Sequence, residues 1–412
     1  MGANFELGAV SVFPVRVLIL VGVVRGISRS EFRGFRFTGA DRIMLAFGIF
    51  CLISSVFHAG VSAAFIFRAG LLMDTWGVYF LFRNWIRSWE EFPFFVTTLL
   101  FILIPLACFM SVEKLTGKNL FHYVSGLALE PELREGRSRA RGPFRHPIIA
   151  GTVAAAWLPL VFALWGTHRK VVLIGSAASF LVVVACASSG PLMTLGAALG
   201  ALYAWRFRSH LRALLWGAAV GVLLLQLAMQ SPIWHIMTKI DLVGGSTGWH
   251  RAKLIDSAIL YWKEWVIGGT DHTRHWMPSG ISWSTDHTDI TNNYLKMGVI
   301  GGLPMMLAFI ALILRSFKTL VSAMRAAPES RTDLHFQFWG LGASLFAHSV
   351  SMVGVSYFDQ AVLAVFYSLV AMIASLSQSL LLSDQFAPVR VPTAEGLADT
   401  AVPTGSYQSS RA

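Results

Sequence analysis

The stretch PIIAGTVAAAWLPLVFALWGTHRKVVLIGSAASFLVVVACASSGPLMTLGAALGALYAWR, residues 147–206, carries only three charged side chains, Arg169, Lys170 and Arg206. Crossing a bilayer as a helix takes about 20 predominantly apolar residues. The stretch therefore holds three spans in succession, 147–166, 169–187 and 190–206, with a basic turn after the first. The same criterion, worked outward, gives further spans at 8–25, 43–67, 69–82, 92–112, 211–230, 293–314, 335–353 and 357–381. The span at 69–82 is short, contains Asp74 and reads as a candidate re-entrant segment. The expected fold is an all-α polytopic membrane bundle of about 11 transmembrane helices.

Composition points the same way. Of 412 residues 55% are hydrophobic and 13% charged, with a mean hydropathy of +0.60, whereas soluble domains carry about 25% charged residues. Basic residues number 33 against 22 acidic, a net charge of +11. That excess suits anionic lipid, and most of it reads as the positive-inside signal that holds spans in place. The basic residues sit in short loops and form no separate basic domain, so nucleic acid is not an expected partner. Cys51, Cys108 and Cys186 fall in three apolar stretches and read as small buried hydrophobes, not as a disulfide or metal framework. The residues before the first span include Glu6 and no basic n-region, so no cleaved signal peptide is expected. The chain shows no internal repeat of the kind found in many transporters.

Orientation follows from the loops. Arg29, Arg33, Arg36 and Arg42, then Arg83 and Arg87, then Arg169 and Lys170, then Arg206, Arg208 and Arg212, then Arg315, Lys318, Arg325 and Arg331 alternate along the chain. Placing them in the cytoplasm puts the N-terminus and the 231–292 loop outside and the C-terminus inside. The segment 113–146 then also lies outside, although it carries Lys114, Lys118, Arg134, Arg137, Arg139, Arg141 and Arg145. A mis-assigned span would explain this, and so would an external face that needs positive charge for a ligand. The chain divides into N-terminal membrane helices (1–230), an external catalytic loop (231–292), C-terminal membrane helices (293–382) and a tail (383–412) expected to be disordered and cytoplasmic.

The 231–292 loop holds five of the twelve histidines (His235, His250, His272, His275, His287) and six of the fourteen tryptophans (Trp234, Trp249, Trp262, Trp265, Trp276, Trp283). Polar loops on a rigid scaffold are where chemistry concentrates. Residues 252–265 carry a helical pattern, with Leu254, Ile255, Ala258, Ile259 and Trp262 on one face, suited to lying along the outer membrane interface. Ser246 or Thr247 can cap its start. Arg251 there adds a guanidinium to a helix N-terminus, a combination that binds phosphate; a snorkelling arginine would look the same in sequence. The strings Asp271-His272-Thr273 and Asp286-His287-Thr288-Asp289 offer a general base or a metal site, against the plainer reading of solvated loop histidines. Thr291 or Asp289 can cap the next helix, whose glycines suit close packing. The paired Asn292 and Asn293 set amide groups at the membrane boundary that need partners.

Several segments resemble the O-antigen ligase and polymerase family of bacterial envelope glycan enzymes. STGWHRAKLIDSAILYWKEWVIGGT (246–270) is similar to that family's external-loop pattern of an Arg, an amphipathic helix and a glycine turn. DITNNYLKMGVIGGLP (289–304) resembles its Asn-aromatic-Leu helix start with a glycine cluster. GPFRHPIIAGTVAAAWLPL (142–160) and ASSGPLMTLGAALG (187–200) resemble its middle spans. YFLFRNWIRS (79–88) and EKLTGKNLFHYVSG (113–126) look like exopolysaccharide-type members. Two positions depart from the pattern: Thr291 stands where ligases commonly place a His, and Ser189-Gly190-Pro191 lacks the usual Arg after Ser, which Arg145, Arg274 or the basic 113–146 segment could supply.

The resemblance implies an enzyme of the bacterial inner membrane with its active site facing the periplasm. It would transfer or polymerise undecaprenyl-pyrophosphate-linked glycan onto an acceptor sugar hydroxyl for lipopolysaccharide or exopolysaccharide. No cofactor and no metal is implied, because positive charge stabilises the departing pyrophosphate. Arg251 would grip that group, with His287 or His250 as acceptor base. Arg274, Arg145, Asn292, Asn293 and Tyr294 would bind substrate, and Trp249, Trp276 and Trp283 would stack on sugar rings, unless they anchor the interface. Partners would be the lipid-linked donor, the glycan acceptor, membrane lipid, and polysaccharide export and chain-length proteins. A flippase or transporter of the same lipid, and a non-catalytic membrane component, remain as alternatives. Few ionisable residues fall within the spans (Asp74, His58, His348), which disfavours transport.

Overall fold

A computed structural model describes residues 14–240, 247–282 and 284–382, with the backbone of 5–7 and 10–12. The expected disordered tail, 383–412, lies outside the described residues, as do Ser246 and Trp283. The chain is predominantly helical: α1 (Pro14–Ser28), α2 (Gly39–Ile53), α3 (Val61–Trp85), α4 (Glu91–Thr116), α5 (His122–Ser125), α6 (Pro147–Phe162), α7 (Arg169–Cys186), α8 (Ser189–Tyr203), α9 (Leu211–Ala228), α10 (Gly248–Leu260), α11 (Trp262–Trp265), α12 (Asn293–Ala326), α13 (Thr332–Gly354) and α14 (Gln360–Leu382). Two antiparallel hairpins complete it, β1 (Phe5–Leu7) with β2 (Val10–Val12), and β3 (Glu132–Arg134) with β4 (Arg137–Arg139).

Seven helices among the described residues are long and apolar enough to cross a membrane: 39–57, 61–85, 91–116, 169–186, 189–228, 293–326 and 360–382. This is a coarser result than the eleven spans expected, because α1 and α6 are short (15 and 16 residues), α8 runs on into α9 through the turn Ala204–His210, and α13, which covers the expected span 335–353, is not among the seven. At the centre sits α6, nearly all of it buried, against α7, α8 and α13. Its Ala150, Gly151, Ala154 and Ala155 allow close approach, which is what drives helix association where lipid removes the hydrophobic contrast. α2 packs on α12 and α3 on α14. α9 buries no residue and exposes Leu214, Leu215, Trp216, Leu223 and Leu227, the surface expected of a helix facing lipid.

Two boundaries differ from the sequence reading. The expected spans 43–67 and 69–82 are redrawn as α2 and an uninterrupted 25-residue α3, separated by a tight turn at Ser54–Phe57. Hydropathy runs smoothly across this turn, so it left no mark in the sequence pattern. Asp74 therefore lies inside a full-length helix and not in a re-entrant segment; Arg16 of α1 grips it with two bonds of 2.8 and 2.9 Å, and Gln360 donates a third at 3.0 Å. Second, α12 breaks at Gly301 and Gly302. Gly302 has φ +73° and ψ −178°, and a Cβ there would lie 2.3 Å from the Ile267 carbonyl oxygen. The carbonyls freed by the break find donors: Thr270 N–H reaches Val299 O at 2.9 Å, and Ser54 Oγ and Arg68 Nη2 reach Ile300 O. Broken helices at membrane depth persist only with such compensation.

Candidate functional site

The site grows from α10. The helix begins at Gly248, four residues before the start suggested by the pattern, and ends at Leu260, where Tyr261 breaks it ahead of α11. Its apolar face is largely spent on protein: Leu254 and Ala258 join Trp265, Trp276, Met277 and Val299 in a satellite core, while Ile259 and Trp262 stay exposed. Thr247 stands at the cap position but makes no side-chain bond to the helix amides, in contrast to the expected capping. Four residues on, Arg251 points off the opposite face to Trp249, its Nε donating 2.9 Å to the carbonyl of Gly354 at the end of α13.

The second contributor is the 113–146 segment. Glu135 and Gly136 both take positive φ, 48° and 73°, the geometry of a two-residue hairpin turn. Alternation then puts Glu132, Arg134 and Arg139 on one face of the β3–β4 hairpin. The hairpin is fastened to the bundle: Glu113 accepts the backbone N–H groups of Arg141 and Gly142 at 3.1 and 2.8 Å, Lys114 donates to Ser138 O, and Ala140 N–H bonds Ala185 O at 3.1 Å. Arg139 is buried, paired with Glu132, and donates to Ser188 Oγ at 3.2 Å.

These elements enclose a cavity of about 250 Å³ in which Arg134, Arg139 and Arg251 face Glu132 and Asp289, with His146, Thr291 and the Ser188–Gly190 start of α8 in the wall. Thr247 lines it too, so two helix N-termini border it, and Ser188 makes no side-chain bond to the first amides of α8. Helix starts left this way favour anions. Burial, reinforced by neighbouring Arg134, holds the Arg251 guanidinium below its ordinary pKa despite Asp289; burial does the same to Arg139 against the pull of Glu132. The cavity is thus crowded with positive charge. Arg139 Nε and Thr291 Oγ1 are both buried without a hydrogen-bond partner, and such orphans in a native wall call for an explanation, a ligand among them. His146 is neutral at physiological pH, burial pushing it down to about 4 against the attraction of Glu132. Its Nδ1 accepts from Ile148 N–H at 3.1 Å, which leaves Nε2 to carry the proton toward Glu132 at 3.5 Å.

A larger cavity of about 890 Å³ adjoins this one across Phe358, which lines both. Its wall is mainly apolar, with Phe65, Ile66, Phe67 and Met73 of α3, and carries Arg16, Asp74, Arg145 and Lys296. Lys296 donates to Tyr357 O at 2.8 Å. The two adjoining cavities thus differ in character, one crowded with guanidinium groups and the other walled mainly by apolar side chains.

The expected site residues distribute unevenly. Arg251 lines the basic cavity; Arg145 and Asn293 line the apolar one. His250 is fully buried, its Nε2 donating 2.8 Å to Asp289 O, and His287 sits beside Thr273 (Nδ1 to Oγ1, 3.3 Å), its pKa lowered by burial. Neither ring lines the basic cavity. Arg274 wraps its own loop, donating to the carbonyls of Met277, Pro278 and Gly280. Asn292, not Thr291 or Asp289, caps α12, its Oδ1 accepting from Tyr294 and Leu295 N–H at 2.9 and 3.1 Å. Asn293 accepts from Tyr357 N–H, and Tyr294 donates to Ser349 O. Trp276 is buried, stacked on Tyr261 and bonded to Glu264, whereas Trp249 is 50% exposed. The two Asp-His-Thr strings pack together, Thr273 and Arg274 N–H both donating to Asp286 O, and among the described residues no group of three or more His, Cys, Asp or Glu side chains could hold a metal ion. Sequence reading had Arg134 and Arg139 only as members of the basic 113–146 segment, and it did not single out Glu132 or His146. The Glu-Gly turn between two short alternating strings was the available signal. No protein-family model matches the chain, and no curated protein matches it.

Proposed function

We propose that the protein is a membrane glycosyltransferase of the O-antigen ligase or polymerase type. In this reading α1–α4, α6–α9 and α12–α14 cross a bacterial inner membrane, and the 113–146 and 231–292 segments face the periplasm. The observation that carries it is the basic cavity adjoining an apolar one: the first would hold the pyrophosphate of an undecaprenyl-linked glycan and the second its lipid. An acceptor hydroxyl oxygen attacks the anomeric carbon as the bond from that carbon to the pyrophosphate oxygen breaks. The bonding pair leaves with the pyrophosphate, where Arg251, Arg134 and Arg139 receive the charge, the role of fixed donors aimed at developing charge. The hydroxyl proton needs a base. Glu132 and Asp289 are the carboxylates that line the chamber, and they take this role more readily than His250 or His287, whose rings are engaged elsewhere. Guanidinium charge lets the scheme run without a metal ion. Export and chain-length proteins would be its partners.

A second reading, a flippase for the same lipid, draws on the Arg16–Asp74–Gln360 cluster in the large cavity and on the broken α12, since buried ionisable groups and discontinuous helices also mark transport routes. One experiment separates the two. Purified protein is reconstituted in vesicles with a synthetic undecaprenyl-pyrophosphate oligosaccharide. Glycosyltransfer yields longer chains or acceptor-linked glycan and free lipid pyrophosphate, lost in Arg251→Ala; flipping yields an intact donor on the opposite leaflet; neither product leaves a non-catalytic role. In cells, Arg251→Ala would accumulate short lipid-linked units if the enzyme polymerises, or intact unlinked polymer if it ligates.

A further inference from the structure

A third cavity, about 410 Å³, lies on the side of α10 turned away from Arg251. At 100° per residue, Trp249, Ala252, Lys253 and Asp256 share one stripe of the helix, and Arg251 falls on the other. The tight helical turn Ile233–Lys239 and the 276–279 loop close the cleft, so three separated segments build it. We propose that this cleft is a glycan subsite that holds sugar units of the substrate chain beyond the one undergoing transfer.

Its chemistry is that of a carbohydrate site. The Trp249 ring is 50% exposed and borders the opening, a flat apolar platform for the C–H face of a sugar; the His250 ring meets it edge-on, centroids 5.7 Å apart. Beside it the Asp256 carboxylate is fixed by two donors, Trp234 Nε1 at 2.8 Å and His235 Nε2 at 2.9 Å, yet its side chain stays 31% exposed. A carboxylate has about four lone-pair sites, so acceptor capacity remains for sugar hydroxyls in a position already organised. Lys253 adds a donor on the same rim. A single platform with a pinned acceptor and a mobile donor suits a neutral polyhydroxylated ligand. A lipid phosphate would meet the Asp256 charge. Arg251 and Trp249 lie on opposite faces of α10, so the basic chamber and this cleft flank the same helix. Trp276, buried and stacked on Tyr261, serves as wall and not as platform.

The inference rests on the glycosyltransferase reading, and the test keeps the two apart. Full-length protein in nanodiscs is titrated with a panel of short neutral gluco-, galacto- and manno-oligosaccharides, with saturation-transfer NMR as readout, while lipid-pyrophosphate glycan transfer is assayed separately. Trp249→Ala and Asp256→Asn should each weaken oligosaccharide binding about tenfold (about 1.4 kcal/mol), and Trp249→Phe should restore most of it. Arg251→Ala should leave oligosaccharide binding unchanged while transfer is lost. Trp249→Ala binding like wild type, or no binding by any oligosaccharide of the panel, overturns the subsite. So does a Trp249→Ala defect confined to association with anionic vesicles, which would make the ring a membrane anchor. Oligosaccharide binding without transfer by wild type instead retires the glycosyltransferase reading and leaves a carbohydrate site standing.

Discussion

Replacing Arg251 tests the basic chamber on two independent scales. In Arg251→Ala the Gly354 carbonyl loses its 2.9 Å donor, a cost of about 1 kcal/mol for a partly buried acceptor. Removing one guanidinium from a chamber that also holds Arg134 and Arg139 relieves repulsion, so the net change in the stability of the unliganded protein should be small. The effect on an anion is of the opposite kind. One fixed donor aimed at developing charge contributes about 2.7–4 kcal/mol, or a factor of about 10²–10³ in rate. Arg251→Lys keeps a charge but cannot bridge the Gly354 carbonyl and a phosphate with one planar fork, so its loss should fall between the two. The assay is inorganic pyrophosphate added to detergent-solubilised protein, read as a thermal shift, in parallel with transfer from a lipid-pyrophosphate donor. At 100 Kd of ligand the wild type gains about 2.7 kcal/mol, and Arg251→Ala should lose most of that shift. If Arg251→Ala keeps both its pyrophosphate shift and its transfer rate, the chamber does not hold the leaving group and the reasoning fails.

Other perturbations follow from single positions. Gly302→Ala must place a side chain at φ +73° and 2.3 Å from Ile267 O, which should cost about 3 kcal/mol or more and show as a large drop in melting temperature; a wild-type melting curve would mean that α12 does not break there. Asn292→Ala should lose about 1 kcal/mol of capping while Asn292→Asp or Asn292→Ser retains it; equal destabilisation by all three would exclude the cap role. His146 stays unprotonated in the folded chain down to about pH 4, whereas in the unfolded chain it takes a proton near pH 6.5. The unfolded state therefore binds more protons between these values, and stability falls as pH drops through them. His146→Gln should remove that component, making the fall in melting temperature from about pH 7 to pH 5 shallower than in wild type; parallel curves would refute it.

The membrane class was legible because hydropathy alone separates lipid-spanning helices from soluble domains, and the 147–206 stretch already contained the helices that form the centre of the bundle. The place of Arg251 at the start of an amphipathic helix was legible in the pattern, but a snorkelling arginine reads the same, and it is the structure that sets its guanidinium in a cavity wall. The partners of Arg251 were not legible. Arg134 and Arg139 sit more than a hundred residues away, and their approach depends on Glu113 and Lys114 pinning the hairpin to the end of α4. The α2–α3 boundary was missed because Ser54–Phe57 turns without a change in hydropathy. The polar residues of the 231–292 loop were read as chemistry when many of them serve the backbone. Between α11 and α12 the chain has little regular structure to satisfy its own N–H and C=O groups, and buried backbone groups must be paired. Arg274, His250, Asn292 and Thr273 are engaged in that task.

The glycine cluster after Asn293 makes the same point from the opposite direction. Its sequence reading was close helix packing, yet the main contact is between α12 and the 266–270 segment. Leu303 N–H bonds Val266 O at 2.8 Å and Thr270 N–H bonds Val299 O at 2.9 Å, so the end of the α10–α11 unit is stitched into the gap in α12. On the other side of the gap Arg68 of α3 donates to Ile300 O, and His58, in the turn between α2 and α3, bonds Gly268 O at 3.0 Å and pairs with Asp271. The loop that presents Arg251 is thereby held at its downstream end by three membrane helices, while its upstream end meets the hairpin arginines. Under the proposed function this anchoring matters, since catalytic groups must be held within about 0.5 Å of their productive geometry. Glycines outside the chamber contribute by letting the 266–270 segment dock into α12. The break in α12 is therefore explained by the docking of the 266–270 segment, with no path for a solute required.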